Sequence, residues 1–142
     1  MRAERIEQRQ LLRAEQPLPG TTIVVRGGRD TRDKLRSHAQ RTARAWSLDG
    51  QPLLGISVFA VLGLALEELL ARRFASFRTI YLPTAGHLRE GGFELLATGR
   101  RPHYTVRLRR GDNLEFEELL AALGAACPNP QYGRGSIWRE EG

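Results

Sequence analysis

An α+β fold in a single domain is what this chain predicts, and three observations lead there. Short β-branched or apolar runs alternate with segments of helical period, a hairpin pattern comes late, and 142 residues suffice for one core. The expected order is β-α-β-α-β-(α)-β-β-α, a mixed β-sheet of about five strands with helices packed on it. Residues 1–20 read as a charged N-terminal arm or docking helix. Residues 21–127 read as the globular domain and 128–142 as an irregular tail.

The elements follow from local chemistry. Residues 21–26 are β-branched and apolar and predict a strand, closed by Gly27-Gly28. Asp30 stands three residues before Asp33, a capping-box-like helix start. Leu35, Ala39, Ala43 and Trp46 then recur at helical spacing, with Arg32, Arg36, Gln40 and Arg44 on a basic outer side. Asp49-Gly50 is a turn signal, and residues 53–60 predict a buried strand. Leu62, Leu66, Leu69 and Leu70 suit a short helix ending on Arg72-Arg73. Residues 77–82 predict another strand, and Thr84 a capped helix ended by Gly91-Gly92. Residues 93–97 and 104–109 flank Thr98-Gly99-Arg100-Arg101-Pro102, which reads as a five-residue hairpin loop, with His103 leading into the second strand. Asp112 with Glu115 predicts the cap of a last helix, with Phe116, Leu119, Leu120 and Leu123 inward.

The composition narrows the function classes. Twenty-two basic residues oppose 16 acidic ones, for a formal net charge of +6, and Lys34 is the only lysine. Guanidinium forks bind phosphate and carboxylate bidentately and stack on bases, so nucleic acid, an acidic protein partner or a phosphate-bearing cofactor suits this surface. Cys127 is the only cysteine, so no internal disulfide forms and a reducing, cytoplasmic setting is expected. No apolar run is long enough to span a membrane. His38, His87 and His103 share no metal-ligand spacing, and neither a metal nor a cofactor is expected.

Alternation along the last strand concentrates the candidate chemistry. Tyr104, Val106 and Leu108 suit the core, which turns His103, Thr105, Arg107 and Arg109 to the other face, with Arg100, Arg101 and Arg110 flanking. That face is either a solvated outer surface or a phosphate-binding one. The leading expectation is a small basic module that engages RNA, toxin- or effector-like, through Arg100, Arg101, Arg107 and Arg109. His103 is the candidate acid-base residue of a metal-independent ribonuclease.

Two family resemblances stand beside this. His103-Tyr104-Thr105-Val106 resembles the strand motif of the two-histidine phosphoesterases, but no second copy occurs. Val24-Val25-Arg26-Gly27-Gly28, Gly55-Ile56-Ser57-Val58-Phe59 and Gly92-Phe93-Glu94-Leu95-Leu96 are similar to the three elements of Arg-Ser-Glu mono-ADP-ribosyltransferases. That resemblance implies NAD as cosubstrate, Arg26 on its phosphates, Ser57 supporting the site and Glu94 as the catalytic carboxylate. The sequence departs from the pattern in Val58 and Phe59 after the serine, and in Gly92 two residues before the glutamate. A third alternative is a non-enzymatic subunit that binds an acidic protein partner through the termini.

Overall fold

The computed structural model describes residues 9–10 and 18–134. Its elements run β1 (Arg9–Gln10), β2 (Val24–Gly27), α1 (Arg32–Ala45), β3 (Trp46–Leu48), β4 (Gln51–Pro52), β5 (Gly55–Ala60) and α2 (Leu66–Arg73). They continue with β6 (Thr79–Tyr81), α3 (Ala85–Glu90), β7 (Glu94–Ala97), β8 (His103–Arg107), α4 (Asn113–Leu123) and β9 (Cys127–Pro128). Six strands form one sheet in the order β7-β8-β5-β2-β6-β9, and every neighbouring pair is antiparallel. The β3–β4 hairpin stands apart, with β1 beside β3 in the only parallel pair among the described residues. Asp49 and Gly50 both have positive φ, 54° and 79°, as a two-residue type I′ hairpin requires. The protein is therefore a single α+β domain, four helices on a six-stranded antiparallel sheet plus a hairpin.

Strand alternation gives the sheet two apolar faces, and each is covered. On the first, Val24, Ile56, Val58, Tyr104 and Val106 meet Leu35 and Ala39 of α1, Leu88 of α3, and Phe116 and Leu119 of α4. The second face is covered in two pieces. Val25 and Ile80 pack on Leu69, Leu70 and Phe74 from α2 and its end. Leu96 packs on Leu48 and Leu53, with Trp46, from the hairpin.

That second layer corrects the expectation of an open outward face at residues 103–109. Thr105 is 1% exposed, and its hydroxyl lies 2.8 Å from Thr98 Oγ1. Gly55, its neighbour on β5, has no side chain to keep it off: a Cβ there would lie 2.4 Å from Thr105 Cγ2.

Other expectations shift locally. The N-cap of α1 is Thr31, whose hydroxyl accepts from Lys34 N, because Asp30 is engaged elsewhere. Asp112 caps α4 as expected, accepting from Glu115 N. Glu115, 4% exposed, does not complete a capping box. Its carboxylate takes the backbone N–H groups of Arg109, Arg110 and Gly111 at 2.7–2.8 Å and ties down the strand-to-helix turn.

The expected irregular tail begins in the sheet, since Cys127–Pro128 pairs with β6. Asn129 then holds the carbonyls of Phe74 and Phe77. Residues 135–142, most of that tail, lie outside the described residues. So does the proposed N-terminal arm, apart from Arg9–Gln10 and residues 18–20, of which Leu18 packs into the core.

Candidate functional site

The sheet opens between β2 and β5. The two strands pair only at Val24–Ala60 and Val25–Phe59, and the next residues of β2, Arg26 and Gly27, pair with β6 instead. Arg26 bridges the gap. Its Nη1 donates to the Ser57 carbonyl at 2.9 Å. Nε and Nη2 donate to the two oxygens of Asp30 at 2.6 and 3.0 Å. Both side chains are nearly sealed, 6% and 4% exposed. A buried guanidinium survives only if its donors and charge are both answered, and Asp30 with Ser57 answers them. The Asp30 N–H in turn donates to the Tyr81 hydroxyl.

A cleft of about 720 Å³ occupies this opening. The β2–α1 turn contributes Gly27, Gly28, Arg29 and Asp30. Helix α1 contributes Asp33, Lys34, Ser37, His38 and Arg41 from its first three turns, which share one side because they recur at three and four residues. The far wall is Arg73, Phe74 and Phe77, with Ser57 and Phe59 at the floor. Gly27 matters to that wall: a Cβ there would lie 2.6 Å from the Phe77 ring, so glycine lets the ring lie against the strand.

Five cations line the cleft against two carboxylates. Asp30 is spent on Arg26, and Asp33 pairs with Arg36 outside the cleft. No carboxylate among the described residues pairs with Arg29, Lys34, Arg41 or Arg73. The Arg73 guanidinium lies over the Phe59 ring, its Cζ 4.9 Å from the ring centroid, within cation–π distance. The Gly27-Gly28 turn offers less to an anion, since Gly28 N–H already donates to Thr79 O. The positive character of the cleft therefore comes from side chains.

His38 is the one histidine lining the cleft. Burial, then the Arg26 and Arg41 guanidiniums, hold its imidazole below the ordinary histidine range, and Asp30 opposes them. His103 lies next to the cleft, its ring edge-on to Phe59 at 5.1 Å. Its Nδ1 is 2.9 Å from the Thr98 carbonyl, an acceptor only, so Nδ1 carries the proton and Nε2 is left as the acceptor nitrogen. Burial depresses the His103 imidazole too. The Thr98 hydrogen bond works against that, and Arg73 adds to it.

The residues singled out from sequence are divided by this geometry. Arg26 and Ser57 meet in the cleft. Glu94 does not join them: it lies on the edge strand β7, two strands from β5, and pairs with Arg107 at 3.3 Å. Arg107 and Arg109 border a smaller pocket of about 260 Å³ against the hairpin. Arg100 and Arg101 are exposed in the β7–β8 turn. Arg29, Lys34, Ser37, His38, Arg41 and Arg73 were not singled out, although Lys34, Ser37, His38 and Arg41 carry a helical-period signal. Among the described residues no cluster of side chains could hold a metal ion, and no helix is long and apolar enough to cross a membrane.

Fold and site together define a basic α+β domain with a cationic, aromatic-walled cleft at a split in its sheet. No protein-family model, curated protein or solved structure matches the chain significantly.

Proposed function

We propose that this domain binds RNA, holding backbone phosphate in the cleft between α1 and α2. The observation that carries the reading is the set of four cations, Arg29, Lys34, Arg41 and Arg73, facing one cleft with no carboxylate partner among the described residues. Phosphate neutralisation is the sequence-independent part of nucleic-acid affinity. Phe77, 37% exposed, and the Arg73 guanidinium offer surfaces on which a base stacks. Ser37 and the imidazole of His38 supply partners for a ribose hydroxyl. The lone cysteine favours a reducing compartment, in keeping with a cytoplasmic RNA ligand.

Salt titration of oligouridylate binding tests this. Three or four neutralised phosphates on a single strand give a slope of log K against log salt of roughly −2 to −3, a loss of about 20- to 50-fold between about 50 and 200 mM. Arg41→Gln weakens binding and flattens that slope. Affinity indifferent to salt, or unchanged in Arg41→Gln, would overturn the reading.

RNA cleavage is a second reading, favoured by the position of His38. A neutral imidazole takes the proton of a 2′-hydroxyl, the 2′-oxygen attacks the adjacent phosphorus, and the 5′-oxygen leaves with a proton returned by the imidazolium. Arginine balances the charge on the phosphorane. A 2′,3′-cyclic phosphate product, lost in His38→Ala, is the expected signature. Intact RNA after prolonged incubation with the wild-type protein removes this second reading and leaves the binding proposal standing.

A further inference from the structure

Charge is not spread evenly along the α1 side of the cleft. Lys34 Nζ donates to the Arg29 carbonyl at 3.1 Å, which draws the ammonium to the helix start, beside the turn that carries Arg29. Arg41 lies seven residues further along α1. At about 1.5 Å per residue it stands roughly 10 Å further along the axis. Between these two positive centres the cleft is lined by Ser37 and His38. Asp33, on the same side, pairs with Arg36 instead, and Arg26 at the root is answered by Asp30. Ser37 offers a hydroxyl that both donates and accepts. Burial, with the Arg26 and Arg41 guanidiniums, favours the neutral form of the His38 imidazole, which has one donor and one acceptor nitrogen. The row therefore runs positive, neutral, positive. A strand of RNA runs phosphate, ribose, phosphate, and its neutral unit carries a hydroxyl.

We infer that this row reads one phosphate–ribose–phosphate step, with one phosphate on Arg29 and Lys34, the next on Arg41 and the intervening 2′-hydroxyl on Ser37, so that Ser37 is the residue that tells RNA from DNA. The inference rests on the RNA reading of the cleft and adds the determinant of its sugar selectivity. Lysine and arginine are long enough to lean in on adjacent phosphates from either end, whereas the short serine side chain reaches a group that lies directly over the helix. The base is left for the far wall, where Phe77 is exposed. A deoxyribose would set a C–H against the Ser37 hydroxyl, displacing its water without replacing the hydrogen bond. Both phosphates would be held as before, so the loss falls on selectivity and not on the electrostatic part of the affinity.

The test compares tetrauridylate with tetradeoxyuridylate on the wild type, Ser37→Ala and Arg41→Gln. Ser37 is exposed and alanine is the better helix former, so Ser37→Ala keeps the fold, which circular dichroism checks. The wild type is expected to prefer the ribose strand by roughly five- to tenfold, the size of an ordinary hydrogen bond. Ser37→Ala is expected to lose most of that preference by binding the ribose strand about fivefold more weakly. Its affinity for the deoxyribose strand and both of its salt slopes stay as in the wild type. Arg41→Gln, in contrast, is expected to weaken both strands alike and to flatten both slopes. Equal affinity of the wild type for the two strands overturns the inference. So does a Ser37→Ala variant that keeps the full preference or weakens both strands alike. Those results leave the cleft proposal intact if Arg41→Gln still weakens binding. If neither strand binds the wild type, the RNA reading itself falls, and the sugar selectivity with it.

Discussion

Replacing Asp30 by asparagine leaves the Arg26 guanidinium buried beside a neutral amide. In the native protein two hydrogen bonds of 2.6 and 3.0 Å join the pair, and both side chains are about 5% exposed. At the surface such a pair would contribute between roughly 0 and 1 kcal/mol. Here the cation has been taken out of water, so removing its counter-charge costs about 3–5 kcal/mol. For a domain of this size each kcal/mol moves the melting temperature by roughly 3 °C, so Asp30→Asn is expected to melt about 10–15 °C lower. Urea unfolding followed by circular dichroism should show a lower midpoint with an unchanged slope. The double variant Arg26→Met/Asp30→Leu removes both charges and leaves the Ser57 carbonyl as the one orphaned group. That costs about 1–3 kcal/mol, so the double variant should be more stable than Asp30→Asn. If Asp30→Asn falls within about 1 kcal/mol of the wild type, the pair behaves as a solvated one and the argument from burial fails.

Glu115→Ala strands three backbone N–H groups at the turn before α4 and should lower stability by at least about 3 kcal/mol in the same urea assay. Glu115→Gln, which keeps an acceptor oxygen, should lose less. Gly55→Ala drives a Cβ to within 2.6 Å of the Val106 carbonyl, on backbone that cannot step aside. A loss of about 2–3 kcal/mol is expected, and a neutral result would mean that β5 and β8 sit farther apart than described. His38 and His103, both depressed in the folded protein, contribute stability that is present above the unfolded value near 6.5. That contribution is lost as pH falls through their folded values, which an imidazole NMR titration checks. Phosphate in the cleft would favour the charged form of His38 against Arg26, Arg41 and Lys34. RNA binding should therefore tighten as pH falls toward the depressed folded value of His38 in the wild type, and not in His38→Ala.

Local chemistry made the elements readable. Thr84 and Asp112 cap their helices, Asp49-Gly50 turns a hairpin, and Tyr104, Val106 and Leu108 are core because strand side chains alternate. What alternation cannot convey is whether a second layer covers the opposite face. Thr105 reads as outward and is sealed: its hydroxyl meets Thr98 Oγ1, and residues from the 46–53 segment, some fifty positions away in the chain, cover its register partner Leu96. The cap at Thr31 is hidden from the sequence for a related reason. Asp30 is the stronger capping type by residue alone, but a partner from β2 claims it. The basic side of α1 was legible, yet its role was not. Arg32 and Arg36 turn to α4, toward Glu117, Asn113 and the Phe116 ring, while Lys34 and Arg41, one helical row away, face the cleft.

The same pair that limits stability also makes the cleft possible. Had β2 stayed paired with β5 beyond Val25, backbone hydrogen bonds would fill the space that now lies between α1 and α2. Arg26 stands in for that missing rung by donating to the Ser57 carbonyl, and a side chain fills a strand gap without closing it. Lysine would not serve, because one ammonium cannot meet both Asp30 oxygens in a forked pair and a carbonyl on the opposite side. The charge brought in by this arrangement needs a buried acid, and Asp30 supplies it from the turn that leads into α1. That neutralisation is local. It leaves Arg29 and Lys34, close by in sequence, and Arg41, two turns further along α1, without a carboxylate partner among the described residues, so the opening is positive at its rim and neutral at its root. An anion entering such a cleft meets cations that water still solvates, and it does not have to displace Asp30 to be bound. Binding should therefore survive Arg26→Met/Asp30→Leu and fail in a variant that removes the rim charges Lys34 and Arg41. The opposite pattern would place the phosphate on Arg26 itself.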